Sequence, residues 1–103
     1  MRAPELDRSG AQNQRLRPAL SEFAVYMEHK LRRNDHKPDW RTCSLAYLRG
    51  RLNQELAELD EAVQSGDPYR IYDECADVAN FAMMIADRAK SNRREGGMIV
   101  DRC

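Results

Sequence analysis

The sequence contains little proline, glycine or cysteine. Its 103 residues include four prolines and five glycines, too few for a disordered chain or for a β-protein with many turns. The three cysteines, Cys43, Cys75 and Cys103, stand far apart without a C-x-x-C pair. Neither a disulfide framework nor a zinc knuckle is therefore expected, and a reducing, cytoplasmic location fits this pattern best.

The sequence also lacks a long hydrophobic run. The longest apolar stretch, residues 78–86, is interrupted by Asn80 and is too short to span a bilayer. The first residues, Met1-Arg2-Ala3-Pro4-Glu5, do not resemble the apolar core of a signal peptide. We therefore expect no association with a membrane.

The net charge is zero, but the basic and the acidic residues are separated along the chain. Residues 30–51 carry seven lysines and arginines against two aspartates, whereas residues 55–77 carry eight acids against one arginine. A nucleic-acid-binding protein normally has an overall basic excess, so no nucleic acid is expected as a partner. Adjacent basic and acidic blocks can hold a polyanion beside a cation, although ordinary solvated helix faces explain the charges equally well.

Apolar spacing predicts helices separated by turn-forming segments. Residues 1–18 are polar and show no apolar period, so they are interpreted as a mobile arm. A first helix is predicted over residues 19–33, with Ser21 as its cap. A loop containing Pro38 follows, and a second helix is predicted over residues 43–65, capped by Thr42.

A third helix is predicted from Asp67-Pro68 to about Asn92, because an aspartate before a proline is a strong helix start. Gly50 inside the second helix indicates a kink, a close neighbour or simple tolerance. Residues 19–92 form the helical domain in this interpretation. Residues 93–103 form a tail in which Met98-Ile99-Val100 is either docked on a neighbouring surface, which we favour, or disordered.

The third helix is apolar on most of its sides, which a chain of this length cannot cover alone. The predicted architecture is all-α: a helical hairpin plus an N-terminal helix, forming a bundle that oligomerisation completes. We expect a homodimer or a homotetramer.

Two acidic pairs, Glu55-x-x-Glu58 and Glu74-x-x-Asp77, each place two carboxylates on one helix face. Such a pair alone is usually a solvated stripe. Here Glu58 and Glu74 both stand eight residues from Gly66, and Glu55 and Asp77 both stand eleven away. In an antiparallel hairpin turning near Gly66, the four carboxylates can therefore converge.

An all-oxygen site favours Mg²⁺, with Mn²⁺ as a substitute, and Mg²⁺ held by carboxylates commonly takes phosphate oxygens as further ligands. A di-iron carboxylate bundle would need Glu-x-x-His pairs, and the residues three before His29 and His36 are Tyr26 and Arg33. The acidic constellation therefore points to a phosphate-containing substrate.

With this spacing, the chain resembles the MazG-type all-α nucleoside triphosphate pyrophosphohydrolases, in particular the small stand-alone members of bacteria and phages. The likeness covers about residues 20–90 and rests on Glu55-Leu-Ala-Glu58 and Glu74-Cys-Ala-Asp77. It implies hydrolysis of a (deoxy)nucleoside triphosphate to the monophosphate and pyrophosphate, with these four acids holding Mg²⁺. Gln54 stands where many members have another glutamate, so Glu55 or Glu58 would be the catalytic residue that activates water.

Four further residues are candidates for substrate binding. Lys37 and Trp40 flank the loop before the second helix and would supply a phosphate contact and a stacking surface, although a lone tryptophan is more often a packing residue. Arg51 falls where many relatives carry a basic residue. Asn80 shares a face with Asp77 and would contact the sugar or orient a carboxylate.

Two other functions fit the same sequence. One is a non-catalytic nucleotide or alarmone binder on the same scaffold, for which Gln54 is the best sequence indication. The other is a helical interaction protein whose acids are merely solvated. Turnover with Mg²⁺ separates the first from an enzyme, and Mn²⁺-dependent stabilisation argues against the second.

Overall fold

The structure, a computed structural model, describes residues 15–94, with side chains described as far as residue 91. Three α-helices make up most of this part: α1 (Pro18–Arg33), α2 (Leu45–Ser65) and α3 (Pro68–Arg94). A short 3₁₀ helix, Trp40–Thr42, lies between α1 and α2, and residues 15–94 contain no β-strand. The predicted all-α fold is confirmed. Most of the predicted arm and most of the predicted tail, including Met98-Ile99-Val100, lie outside the described residues.

Helix α1 begins one residue earlier than predicted and without a side-chain cap. Pro18 occupies the first turn, where its missing N–H would have no helical partner in any case. The N-cap is Arg17, whose carbonyl accepts the Ser21 N–H at 3.0 Å. The prediction of Ser21 as the cap was therefore wrong, because Ser21 already lies inside the helix.

Helix α2 begins two residues later than predicted, and its cap is Ser44. The Ser44 hydroxyl accepts the backbone N–H of Tyr47 at 3.0 Å. Thr42, the predicted cap, belongs to the 3₁₀ helix and donates its hydroxyl to the Asp39 carbonyl at 2.7 Å. That prediction was wrong because the Thr42 hydroxyl is already hydrogen-bonded to the backbone of the preceding turn.

The turn between α2 and α3 is as short as the sequence indicated. Gly66 ends α2 with a φ of 74°, a left-handed conformation that glycine adopts without steric cost. The Asp67 carboxylate accepts the Tyr69 N–H at 3.0 Å and caps α3 behind Pro68. At Gly50, an added Cβ would meet nothing within 4 Å, so a close neighbour does not explain that glycine.

Helix α3 is the centre of the described part, since α1, α2 and the 3₁₀ helix all pack against it. The apolar residues that are fully buried are few and mostly small: Cys43, Leu48, Ala62 and Ala76. An apolar groove of about 580 Å³ remains open, lined by Phe23, Leu59 and Tyr72 among others. Within the described residues, this apolar surface is thus left uncovered.

Two predictions made from composition meet the structure here. Cys75 is free, whereas Cys43 is disulfide-bonded, so the expectation drawn from the cysteine spacing does not hold at Cys43. None of the helices within residues 15–94 has the length and apolar character needed to cross a bilayer.

Candidate functional site

Three carboxylates meet between α2 and α3. One oxygen from each of Glu55, Glu58 and Glu74 lies within 4.8 Å of the other two. The hairpin brings Glu58 and Glu74 level across the Gly66 turn, as the sequence predicted. Oxygens at this separation can bind one divalent cation in common.

Two oxygens of this group are buried without a hydrogen-bond partner. Glu55 is only 6% exposed, and its Oε1 accepts a hydrogen bond from the Arg51 guanidinium at 3.0 Å. Its Oε2 has no partner, and neither has Oε2 of Glu74. Buried carboxylate oxygens are normally satisfied, so these two leave a need for a donor or a cation. A divalent ion with oxygen ligands fits that need.

The electrostatics of the group also favour the uptake of positive charge. Burial raises the pKa of Glu55 from 4.5 to about 7, helped by the neighbouring carboxyl group of Glu58 and by the negative charge of Asp77. Burial also raises the pKa of Glu74, with Asp77 and Glu58 adding to the effect. The site resists carrying its full negative charge unless a proton or a metal ion compensates it.

Asp77 belongs to a second, overlapping group with Asp73 and Glu74, whose oxygens also lie within 4.8 Å of one another. An amino group already occupies this second group: Lys30 Nζ lies 2.8 Å from Asp77 Oδ1 and 2.9 Å from Asp73 Oδ1. The four predicted metal ligands are therefore split between two groups that share Glu74. The negative charge of Asp77 still helps to raise the pKa of Glu55.

A cleft of about 760 Å³ opens beside the carboxylates, within the size range of small-molecule sites. Glu55 and Asp77 form part of its wall. The end of α1 and the segment leading to α2 also line the cleft. Basic side chains line it: Arg33, Lys37, Arg41 and Arg51. The separated charge blocks of the sequence thus face a single cavity.

The predicted substrate-binding residues Lys37, Trp40, Arg51 and Asn80 all line this cleft. Lys37 is exposed and forms no ion pair with any other residue of the described part. The Trp40 indole is fixed by a hydrogen bond from Nε1 to Asp87 Oδ2 at 2.9 Å. Lys37 is thus available for an anion, and Trp40 presents a fixed aromatic surface.

Arg51 links the acidic and the basic sides of the cleft. Its guanidinium contacts Glu55 at 3.0 Å, hydrogen-bonds Gln54, and lies 4.9 Å from the centre of the Phe81 ring. The i, i+4 pair with Glu55 that the sequence allowed is therefore formed. Arg51 also lines the cavity, so the two predicted roles are compatible.

Asn80 lines the cleft, and one of its side-chain atoms lacks a hydrogen-bond partner. Its Nδ2 donates to the Met27 carbonyl at 3.2 Å, which fixes the amide on α1. Its Oδ1 is buried without a partner, and the residue is only 4% exposed. A ligand hydroxyl would satisfy this oxygen.

Sequence reasoning missed Lys30, Asp73 and Asp87. Lys30 stands four and three residues from Tyr26 and Met27, next to the apolar stripe of α1, and a lysine at such a position was the available signal. Asp73 and Asp87 gave no distinct signal, because each depends on a partner 43 or 47 residues away.

Arg88 is a buried residue of α3 that contacts the segment before α2. It is 2% exposed, and its Nε donates to the Cys43 carbonyl at 2.9 Å. It therefore fixes the segment before α2.

Comparisons with protein families, with curated proteins and with solved structures find no match for this chain. The MazG-like resemblance therefore depends on the spacing of the four acids and on their helical setting.

Proposed function

We propose that this protein is a Mg²⁺-dependent nucleotide pyrophosphohydrolase of the MazG-like type, which converts a (deoxy)nucleoside triphosphate to the monophosphate and pyrophosphate. The observation that carries the proposal is the contact between two features: the group of Glu55, Glu58 and Glu74 adjoins a basic cleft of nucleotide size through Glu55. A solvated acidic stripe would not need a buried glutamate at the wall of a cavity.

In this proposal the carboxylates of Glu55, Glu58 and Glu74 hold Mg²⁺, with Asp77 beside them. When bound there, Mg²⁺ would neutralise charge on the phosphate oxygens and lower the pKa of a water molecule. Water forms a new P–O bond, the phosphoanhydride P–O bond breaks, and pyrophosphate leaves. Glu55 or Glu58 accepts the proton of the water.

Different residues of the cleft bind the phosphates, the base and the sugar of the substrate. Lys37 and Arg51 bind the phosphates, and the fixed Trp40 ring stacks on the base. Asn80 Oδ1 accepts a hydrogen bond from the sugar. Lys30, although it lines the cleft, has its amino group directed at two aspartates.

The test is a screen of ribo- and deoxynucleoside triphosphates with Mg²⁺, in which released pyrophosphate and monophosphate are both measured. Equal amounts of the two products, lost in Glu58→Gln but kept in the exposed control Glu61→Gln, are expected. Release of orthophosphate with a diphosphate product would contradict the assignment of the cleaved bond.

A non-catalytic nucleotide or alarmone binder remains the alternative, and the same preparation distinguishes it. Gln54 replaces a family glutamate, and its amide oxygen is engaged by Arg51. If the wild-type protein binds a nucleotide in calorimetry but releases no pyrophosphate over several hours with Mg²⁺ or Mn²⁺, the protein is a binder. A protein that binds neither metal nor nucleotide would be an interaction module.

A further inference from the structure

Lys30 is the most deeply buried lysine in the described part of the chain. It extends from α1 towards α3 and is 5% exposed. A buried ammonium group is costly unless its charge is compensated and its hydrogen atoms are bonded. Lys30 meets both conditions, because two carboxylates and one carbonyl oxygen surround it.

The three acceptors around Lys30 use all the donors that a lysine has. Nζ contacts Asp77 Oδ1 at 2.8 Å, Asp73 Oδ1 at 2.9 Å and the Asp73 backbone carbonyl at 3.0 Å. The Tyr26 hydroxyl donates to the same Asp73 oxygen and helps to hold it. Lys30 therefore has no donor left for a phosphate, although its stem lines the cleft.

The two overlapping acidic groups contain five carboxyl groups in all: Glu55, Glu58, Asp73, Glu74 and Asp77. Two fixed cations contact them, Lys30 and Arg51. The Lys30 amino group lies between the carboxylates of Asp73 and Asp77, where a metal ion bound by the second group would also have to lie. The first group instead has the partnerless oxygens, Oε2 of Glu55 and of Glu74.

We infer that Lys30 is an internal cation that takes the place of a second divalent ion, so that the hairpin binds one metal per chain, at Glu55, Glu58 and Glu74. Asp73 is then a partner of Lys30 and not a metal ligand. Lys30 is a positioning residue that holds Asp77 beside the metal. This inference rests on the metal site of the proposed function, but not on the reaction.

The test counts Mn²⁺ ions bound per chain without nucleotide, by measuring free Mn²⁺ with electron paramagnetic resonance during a titration. We expect one ion in the wild type and two in Lys30→Met, because the vacated place exposes the carboxylates of Asp73 and Asp77. Lys30→Arg, which keeps the charge, and Arg32→Met, which removes an exposed charge on the same helix, should each bind one ion. Two ions in the wild type, or one ion in folded Lys30→Met, would overturn the inference.

Asp73→Asn provides a second measurement that does not depend on how Lys30→Met folds. If Asp73 serves Lys30, this variant keeps the single ion with its dissociation constant changed less than about threefold. Loss of that ion, or a dissociation constant raised tenfold or more, would show that Asp73 is a ligand and overturn the inference. The double variant Lys30→Met with Asp73→Asn should return to one ion.

These outcomes separate the inference from the proposed function. A wild-type protein that binds one Mn²⁺ but releases no pyrophosphate would refute the hydrolase and leave the role of Lys30 intact. A wild-type protein that binds no Mn²⁺ would overturn the role assigned to Lys30. Turnover by a wild type that binds two ions without nucleotide would support the hydrolase and refute the internal cation.

Discussion

Replacing Glu55 with glutamine should change how the stability of the metal-free protein depends on pH. Burial, more than any other factor, raises the pKa of this carboxyl from 4.5 to about 7. Its side chain is only 9% exposed, so solvent screens the effect little. Glutamine has nearly the same shape but cannot ionise, so Glu55→Gln removes the titration and retains most of the packing.

The raised pKa of Glu55 determines whether the folded protein gains or loses stability as the pH rises. A carboxyl whose pKa is higher in the folded than in the unfolded state binds its proton more tightly when folded. Its contribution to stability is fully present below pH 4.5 and is lost as the pH rises through about 7. At about 1.4 kcal/mol per pH unit, this pKa difference corresponds to about 3 kcal/mol of unfolding free energy. Glu74, whose pKa is also raised, acts in the same direction.

The assay is urea unfolding followed by circular dichroism at pH 5 and pH 8 in EDTA. The wild type should lose about 2–3 kcal/mol more than Glu55→Gln between these two pH values. Asp73 does not interfere, because its ordinary pKa of 3.8 already lies below this window and the hydrogen bond from Tyr26 lowers the pKa further. Saturating Mn²⁺ at pH 8 should restore the wild type but not the variant.

An exposed glutamate on the same helix provides the matched control. Glu61→Gln should keep the pH dependence of the wild type, since Glu61 is exposed and lies outside both acidic groups. Equal slopes in the wild type and Glu55→Gln would refute the reasoning, because they would show that Glu55 titrates alike in the folded and unfolded chains.

Three further outcomes are expected. Glu58→Gln or Asp77→Asn should lower turnover at least about a hundredfold without loss of helical circular dichroism, and wild-type rates in both would remove these acids from the site. Arg51→Ala should lower kcat/KM about tenfold, or 1.4 kcal/mol, with Mn²⁺ affinity nearly unchanged, whereas unchanged kinetics would leave Arg51 only its pairing with Glu55. Sedimentation should show at least a dimer, because the apolar groove beside Tyr72 is left open; a single species of 11.9 kDa at micromolar concentration would contradict this.

The hairpin was predictable because its signals are local. Gly66 and the Asp67-Pro68 start fix the turn, and equal spacing about the turn then places Glu58 opposite Glu74 without knowledge of any other contact. The cap of α2 was not predictable in the same way. Thr42 and Ser44 are both suitable cap residues, and only the 3₁₀ helix that engages Thr42 decides between them.

The candidate site was predictable as a set of residues but not as an arrangement. All four predicted metal ligands lie in the acidic groups, and the four predicted substrate contacts line the cleft. The sequence could not place Lys30 between Asp73 and Asp77, because that depends on how α1 crosses α3. Helix crossing is set by packing across more than forty residues of chain, which apolar spacing within one helix does not encode.

Helix α3 sets the length of the cleft, because two of its side chains hydrogen-bond the segment before α2. Asp87 holds the Trp40 ring and Arg88 holds the Cys43 carbonyl. One turn of α3 therefore positions the wall of the cleft that contains Trp40. The same helix carries Asp77, ten residues earlier, which is about 15 Å of helical rise. The distance between the Trp40 ring and Asp77 is thus set by one continuous helix. A one-residue insertion in α3 between these points would rotate the wall by about 100° relative to the acids and dismantle the cleft while leaving each helix intact.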